Sequence, residues 1–448
     1  MEFLKDNVIK TFRDNTIGID CVINTPCGEK PLLYADWAAS GRLYRSIEER
    51  ICNEFGPLYG NTHSNDSYIG KHINSAYEYA KESLLRECGA YGKYEIIIGG
   101  AGATFALHRF QEIMSINQRD KVIVYISGFE HNTNYLTWIA LGAKVVIIET
   151  NKDGVMDLDV LENSLVDNKS FDLIIGSFIA YSNVTGIGTN YVDAVKTVKR
   201  HGGIGIVDYS VAAPHVPIDL SNGVVDVAYW GVHKLLGGPG GPGILLFKPS
   251  IYQRKIPSIP AGGTVFWTDP KQRAVYIDRI DVREDPGTPS ILQAIKAAFA
   301  HQLINEISPK LMHSRETYFV KYLIKELASN PLIHVFSENN MDRMPIVSFT
   351  IIGMEYPTIV KSLSDFYGIQ SRGGCSCAGT YAHDLLEINS QLSDKLYYQM
   401  KTGNYGIKLG WVRISLHAVM KKEEIEYISC AINEIAYNRG FYLAQDVG

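Results

Sequence analysis

Seven short runs of apolar, β-forming residues constrain the fold of this chain most, because longer stretches with helical spacing or Gly-rich turns separate them. The runs are Tyr94–Ile98, Lys121–Ile126, Ala143–Ile148, Asp172–Phe178, Ile204–Val207, Val225–Trp230 and Gly243–Phe247. Several are nearly all apolar, as expected for strands that helices cover on both faces. The alternation predicts an α/β domain built on a mostly parallel seven-stranded sheet.

A smaller second unit is predicted after this sheet. A long helical pattern runs from Ile291 to Ile307, and the chain then restarts near Arg315, with strands expected around Ile346–Ile351 and Arg413–Leu416. We expect an N-terminal segment at residues 1–30, a large domain at 31–305 and a small α+β C-terminal domain at 306–448. A chain of 448 residues is long enough for two cores.

Charge and composition exclude several classes of partner. The net charge of −5 gives no basic field that would attract nucleic acid. No run approaches the ~18 apolar residues of a membrane helix, and the charged N-terminus lacks the features of a signal peptide. Seven scattered cysteines favour a reducing compartment over a disulfide framework. We expect a cytoplasmic protein that binds neither nucleic acid nor membrane.

A Gly-rich turn, Gly99-Gly100-Ala101-Gly102-Ala103-Thr104, links the first strand of the sheet to a helical stretch. The first amides of such a helix point outward with the positive end of its dipole, so a phosphate group could bind there. Similar turns also occur only for packing, and this turn alone leaves both interpretations open.

Two charged residues stand where parallel sheets place their ligands, at the carboxyl ends of strands. Asp208 ends one strand, where a carboxylate could keep a ring nitrogen protonated. Lys234 follows another strand beside a Gly- and Pro-rich loop, where an amine among apolar groups loses its proton more easily. Taken singly, Asp208 is better explained as a turn cap, and Lys234 alone does not overturn its explanation as a surface lysine in a flexible loop.

Several motifs occur together in a fixed order: Gly102-Ala103-Thr104, Glu130-His131-Asn132-Thr133-Asn134, Ser182-Asn183-Val184-Thr185-Gly186, Asp208, His233-Lys234 and Gly287-Thr288-Pro289. In this order the chain resembles the class V aminotransferase family of fold-type I pyridoxal 5'-phosphate (PLP) enzymes. Within that family it is most similar to the cysteine desulfurase and selenocysteine lyase branch. The resemblance extends from Tyr34 to Leu416.

The resemblance implies a role for each matching position. Lys234 would hold PLP as a Schiff base, Asp208 would pair with the pyridinium nitrogen, and His131 would stack on the ring and take part in catalysis. Asn183 would bind the phenolic oxygen. The phosphate would be held by Ala103, Thr104 and His233, with Thr288 reaching it from the partner subunit of a homodimer. The substrate would lie among Ala38, Ala39, His63, Asn183, Arg372 and Arg413.

The loop Arg372-Gly373-Gly374-Cys375-Ser376-Cys377 resembles the one that carries the desulfurase nucleophile, which assigns that role to Cys377. Arg372 and Arg413 would bind the substrate carboxylate, for which the planar guanidinium is well suited. A structural thiol pair or a metal clip is the alternative, but nearby metal ligands are few and no metal is expected. Cys375 suggests the hypothesis of a persulfide relay.

Three positions depart from the family pattern. Val211 replaces a glutamine that binds the phenolic oxygen, Gly231 replaces a serine that contacts the phosphate, and Ser64 stands where an arginine is usual. The resemblance implies a PLP-dependent desulfurase that converts L-cysteine to alanine, leaves a persulfide on Cys377 and passes sulfur to an acceptor protein. The alternatives are another class V enzyme, such as an aminotransferase, β-lyase or epimerase, and a non-catalytic scaffold.

Overall fold

A computed structural model of the protein describes residues 6–62, 64–151, 155–168, 170–404, 406 and 408–445. No helix in these ranges is both long and apolar enough to pass through a lipid bilayer. The α-helices and strands that precede the main sheet are α1 (Asp6–Asp14), β1 (Val22–Thr25), β2 (Gly28–Pro31), β3 (Leu33–Tyr34), α2 (Arg45–Arg50) and α3 (Tyr68–Glu87).

The main sheet is formed by a segment in which strands and helices alternate. Its elements are β4 (Glu95–Gly99), α4 (Gly102–Ile113), β5 (Val122–Ser127), α5 (Thr133–Ala140), β6 (Lys144–Ile148), α6 (Leu158–Asp167), β7 (Leu173–Ile179), α7 (Tyr191–Arg200), β8 (Ile204–Asp208), β9 (Val227–Gly231) and β10 (Gly243–Phe247). A hairpin, a short helix and a long helix follow as β11 (Val265–Thr268), β12 (Ala274–Tyr276), α8 (Ile280–Arg283) and α9 (Ile291–Ile307).

Within the described residues this sheet has seven strands in the order β4-β10-β9-β8-β7-β5-β6. All neighbouring strands are parallel except β10, which runs antiparallel to both β4 and β9. The mostly parallel seven-stranded sheet is therefore confirmed, and each predicted strand begins and ends within two residues of the observed one.

Both faces of the sheet are covered because its strands carry apolar residues on both sides. Every residue of β5, β9 and β10 is buried. Ile123 and Tyr125 of β5 belong to one apolar cluster, whereas Val122 and Val124 belong to another on the opposite face. Burial of each large aliphatic side chain contributes ~1.5–3 kcal/mol, which accounts for the three-layer arrangement of helices, sheet and helices.

The C-terminal part contains α10 (Pro309–Ala328), β13 (Ile333–Val335), β14 (Ile346–Ile351), α11 (Tyr356–Tyr367), β15 (Ile369–Gln370), β16 (Arg372–Gly374), α12 (Gly379–Leu385), α13 (Ser390–Lys401), β17 (Trp411–Ser415), α14 (Lys422–Tyr437) and α15 (Arg439–Gln445). Its antiparallel sheet has the order β13-β14-β17-β16. The short strand β15 instead pairs with β3 in parallel. Strand β3 lies within the predicted large domain but pairs with a strand of the C-terminal part. The domain boundary at residue 31 therefore stays a prediction.

Candidate active site

Lys234 lies in a short helical turn, Val232–Lys234, that follows the carboxyl end of β9. Burial lowers the pKa of Lys234 to about 8, and although Asp208 acts to raise it, the cations of Arg413 and Arg372 lower it further. A sizeable fraction of the amine is thus neutral near physiological pH, which suits a nucleophile or a proton acceptor.

Asp208 ends the adjacent strand β8 and is buried, with one carboxylate oxygen accepting the backbone amide of Ser210 at 2.8 Å. Its charge acts on both Lys234 and His131. The structure therefore brings the predicted carboxylate, amine and imidazole together at one edge of the sheet.

The Gly-rich turn before α4 forms a cradle with His233. Gly102 has a φ of +73°, and a Cβ atom there would lie 3.1 Å from Cε1 of His233. A Cβ atom on Gly231 would lie 2.7 Å from that same ring carbon and 3.2 Å from the amide nitrogen of Ala103. The His233 ring therefore occupies the space that a side chain at position 231 would need, which explains the glycine there.

Thr104 and His131 are linked through Thr133. The hydroxyl oxygens of Thr104 and Thr133 are 2.9 Å apart, and the backbone amide of Thr133 donates to Nδ1 of His131 at 3.1 Å. Nδ1 thus accepts a hydrogen bond, which favours the tautomer protonated at Nε2. Burial, followed by the charge of Lys234, lowers the pKa of His131. The ring is therefore neutral at physiological pH, which suits stacking on another aromatic ring.

A buried carboxyl group supports the backbone on which His131 lies. Glu130 accepts hydrogen bonds from the hydroxyl of Ser127 at 2.6 Å, the amide of Asn134 at 2.8 Å and the backbone of Ile179 at 2.8 Å. Burial raises the pKa of Glu130 to about 7, against these bonds, which lower it. The sequence predicts no role for Glu130, although its side chain ties the ends of β5, α5 and β7 together.

The two predicted carboxylate-binding arginines lie opposite each other on β16 and β17 and share the carboxylate of Asp36. Nε of Arg372 is 2.9 Å from Oδ2 of Asp36, and Nη2 of Arg413 is 3.0 Å from Oδ1. Nη1 of Arg413 donates to the carbonyl of Asn183 at 2.9 Å. Arg372 is exposed, and its two terminal nitrogens have no hydrogen-bond partner among the described residues.

Cys377 lies in a strained turn. The amide of Ala378 donates to the carbonyl of Cys375 at 3.0 Å, and the φ angles of Ser376 and Cys377 are +52° and +57°. Positive φ at both central residues is typical of a type I′ turn and is costly for residues other than glycine, asparagine and aspartate. The turn leaves Cys377 exposed, whereas Cys375 is half-buried with its thiol 3.5 Å from the carbonyl of Leu409.

Two asparagines that follow strands of the main sheet, β5 and β7, hold this turn. Nδ2 of Asn183 donates to the carbonyl of Ser376 at 2.7 Å, and the backbone amide of Asn132 donates to the carbonyl of Cys377 at 2.7 Å. Oδ1 of Asn183 is buried without a hydrogen-bond partner among the described residues. The predicted contact of Asn183 with a cofactor stays a prediction, and Nδ2 retains a second hydrogen for it.

The remaining predicted site residues are less central. Ala38 is buried and donates its amide to Ser415 at 2.9 Å, and the amide of Ala39 bonds the carbonyl of Asp36 at 3.1 Å. Thr288 is exposed and accepts a hydrogen bond from Asn61 at 3.3 Å. His63 lies outside the described residues.

Besides Glu130, the sequence predicts no role for Asp36 and Asn132, which also matter for the site. Asn132 lies inside a motif that carries the family resemblance, and Asp36 lies near the start of the stretch that the resemblance covers, but their partners are more than 200 positions away along the chain. A buried carboxylate needs a cation, and this requirement was the only available signal for Asp36.

Known proteins are similar to this chain over most of its length. The sequence profile of the family described as aminotransferase class-V matches residues 33–428. A protein of Aeropyrum pernix described as a probable cysteine desulfurase is 26% identical over 92% of this chain and 96% of its own length. One of Staphylococcus epidermidis with the same description is 25% identical over 80% of this chain and 86% of its own.

Solved structures share the fold at lower identity. The apo structure of a cysteine desulfurase from Thermococcus onnurineus superposes with a TM-score of 0.76 at 21% identity, covering 91% of this chain and 95% of that one. A cysteine desulfurase from Escherichia coli gives 0.72 at 19%, covering 95% and 98%. The predicted fold-type I architecture is confirmed. Because the family profile spans most of the sequence, this chain belongs to the class-V aminotransferase family.

Proposed function

We propose that this protein is a PLP-dependent cysteine desulfurase that removes sulfur from L-cysteine as a persulfide on Cys377. The observation that carries the proposal is the docking of the Cys377 turn on the Lys234 site, through hydrogen bonds from Asn132 and Asn183 to two consecutive carbonyl groups. Arg413 connects the two parts, because it interacts electrostatically with both Cys377 and Lys234. The relatives that carry the desulfurase name support the same assignment.

The residues present fit PLP. The N-terminus of α4 and the His233 ring form a cradle for a phosphate, and a Cβ atom at Gly231 would intrude on it. Lys234 offers an amine with a lowered pKa for covalent attachment. Asp208 offers a buried carboxylate for a pyridinium nitrogen. When bound, PLP would supply an electron sink for negative charge at Cα of an amino acid.

The chain's own residues account for the other steps. Arg372 presents two terminal nitrogens that are unpaired among the described residues, a fork that matches a carboxylate. Lys234, with a pKa of about 8, can take the Cα proton at its Nζ atom. The thiolate of Cys377 attacks the substrate sulfur, so an S–S bond forms and the Cβ–S bond breaks. Its electron pair stays on the amino acid, which takes up protons and leaves as alanine.

Another class V reaction is the second candidate, and Val211 favours it. Val211 is buried in an apolar cluster with Ala38, Phe129 and Val184, so it supplies no hydrogen bond where the family often has glutamine. A transaminase, β-lyase or epimerase would need the Lys234 site but not Cys377.

We further propose a cytoplasmic homodimer that passes sulfur to an acceptor protein. Thr288 is exposed and follows Gly287, whose amide donates to the carbonyl of Gly262 shortly before the β11–β12 hairpin. On that hairpin Phe266, Trp267 and Val275 expose 69%, 50% and 53% of their surface. An apolar hairpin of this kind is typical of an interface between subunits. The division into domains at residues 31 and 306 belongs to the same proposal.

One experiment separates the candidates. The purified protein is examined for the absorption band of bound PLP, then given L-cysteine, and alanine and sulfide are measured for wild type, Cys377→Ala and the control Cys430→Ala, which alters an exposed thiol on α14. Loss of alanine formation in Cys377→Ala alone supports the desulfurase. Bound PLP without alanine indicates another class V reaction, and absence of PLP binding indicates a scaffold.

A further inference from the structure

Helix α12 begins directly after the Cys377 turn and has no cap of its own. The residue before it, Ala378, has no side-chain acceptor for the first free amides of the helix. The acceptor comes instead from a distant part of the chain, because the amide of Gly379 donates to Oδ1 of Asn132 at 3.1 Å. The start of α12 is therefore fixed by Asn132, the residue before α5.

The same asparagine also holds the residue on the other side of Ala378. Its backbone amide donates to the carbonyl of Cys377 at 2.7 Å. Asn132 thus hydrogen-bonds to Cys377 through its backbone amide and to Gly379 through its side chain. Ser376 and Cys377 both have positive φ, a conformation that persists only where surrounding contacts impose it.

Asn132 is the covalent neighbour of His131, and this sets the position of the thiol relative to the imidazole. Thr133, on the other side, holds Nδ1 of His131 through its amide and contacts Thr104 through its hydroxyl. In these three consecutive residues, His131 provides the imidazole, Asn132 holds the Cys377 turn and Thr133 contacts Thr104 in the phosphate cradle. A shift of this segment would move all three together.

We propose that Asn132 is a positioning residue that sets the Cys377 thiol for attack on the substrate sulfur, by capping α12 and holding the Cys377 carbonyl. The inference rests on the proposed desulfurase function. The inference adds the specific requirement that the side chain at position 132 accepts a hydrogen bond. Asn132 then affects the sulfur-transfer step and not substrate binding.

The test compares three variants of the PLP-loaded enzyme. Asn132→Ala removes the acceptor, and Asn132→Asp keeps it, since aspartate caps helices as well as asparagine. Asn389→Ala is the matched control, because Asn389 caps the next helix, α13, through a 2.9 Å bond from the amide of Leu392 but does not touch the Cys377 turn. Gel filtration and thermal unfolding establish that each variant folds.

Steady-state alanine formation is the first readout. We expect Asn132→Ala to lower kcat by roughly 10- to 100-fold, the effect of a misplaced reacting group. KM for L-cysteine should stay within about 3-fold, because Arg372 is untouched. Asn132→Asp should recover most of kcat, and Asn389→Ala should match wild type. An unchanged kcat in Asn132→Ala, an equal loss in Asn389→Ala, or no recovery in Asn132→Asp would each overturn the proposal.

Amide hydrogen exchange is the second readout and needs no activity. In a peptide spanning residues 378–385, Asn132→Ala should increase the exchange rate at the start of α12 by about 10-fold or more, whereas Asn132→Asp and Asn389→Ala should not. If wild type forms no alanine from L-cysteine, the desulfurase proposal fails, but this measurement still decides whether Asn132 holds the turn. An unchanged exchange rate in Asn132→Ala would refute the role of the Asn132 side chain in holding the start of α12.

Discussion

Asp36 and Arg413 form a buried ion pair, with Oδ1 of the aspartate 3.0 Å from Nη2 of the arginine. The side chains of Asp36 and Arg413 expose only 12% and 4% of their surface, whereas Arg372, which shares the carboxylate, exposes 49%. The two arginines therefore have different environments, because Arg413 is held inside the fold and Arg372 faces outward.

Removal of the charge at Asp36 should destabilise the protein. Asp36→Asn leaves Arg413 buried without a counter-charge, and breaking a buried pair in this way costs about 3–5 kcal/mol. Thermal unfolding should show a clear fall in Tm. The control Glu54→Gln breaks an exposed pair with Arg50, worth at most about 1 kcal/mol, and should change Tm little. Equal Tm values for the two variants would contradict a structural role for Asp36.

Arg372 should govern substrate affinity and Arg413 should govern stability. Arg372→Leu removes a fork whose charged hydrogen bonds are worth about 1.5–3 kcal/mol, so KM for L-cysteine should rise about 10- to 100-fold with Tm nearly unchanged. Arg413→Leu should lower Tm, because it removes the buried cation that pairs with Asp36 and leaves that carboxylate only the exposed Arg372. Kinetics and thermal unfolding of both variants test this division. A raised KM with an unchanged Tm for Arg413→Leu would reverse the assignment.

The reactivity of Lys234 should follow a pKa near 8. Only the neutral amine attacks an aldehyde, so the rate at which the apoprotein takes up PLP should rise from pH 6 and level off above pH 8, since burial lowers the pKa of Lys234 to about 8. Stopped-flow absorbance measures this rate. Asp208 acts to raise that pKa, so Asp208→Asn should move the midpoint to lower pH. A rate that still rises steeply at pH 10 would show an unperturbed amine.

Restoring the family serine at position 231 should weaken PLP binding. The new Cβ would lie 2.7 Å from the His233 ring and displace it from the cradle, and overpacking of this kind costs about 1–3 kcal/mol. Equilibrium dialysis should give a Kd for PLP about 5-fold higher or more in Gly231→Ser and in Gly231→Ala. Tighter binding in Gly231→Ser alone would mean that its hydroxyl contact with the phosphate outweighs the steric cost.

Cys375 should not relay sulfur. Burial, together with the charge of Cys377, raises the pKa of Cys375, and its thiol contacts the carbonyl of Leu409 at 3.5 Å. A protonated thiol is a poor nucleophile, so Cys375→Ser, which keeps a donor for that carbonyl, should transfer sulfur from Cys377 to an added thiol acceptor at the wild-type rate within about 2-fold. A transfer rate that collapses while alanine formation persists would support the relay.

Local patterns predicted the sheet well and the polar contacts poorly. The strands were found because most of the apolar runs are buried on both faces, the edge strand β6 being the more exposed exception. The helix Ile291–Ile307 was predicted to the residue because no glycine or proline interrupts its pattern. The ion pair of Asp36 with Arg372, 336 positions away, has no local signature. The same holds for Asn132 and Gly379, because a helix cap supplied from 247 positions away depends on how distant elements pack together.

The pairing of β3 with β15 has a consequence for synthesis of the chain. Leu33 and Tyr34 are made early but hydrogen-bond with Ile369 and Gln370, and Asp36 bridges to Ser415. Until the C-terminal strands leave the ribosome, Asp36 therefore has no ion pair with the guanidinium groups of Arg372 and Arg413. Contacts so far apart in sequence form slowly, so the nascent protein completes the contacts around Asp36 last.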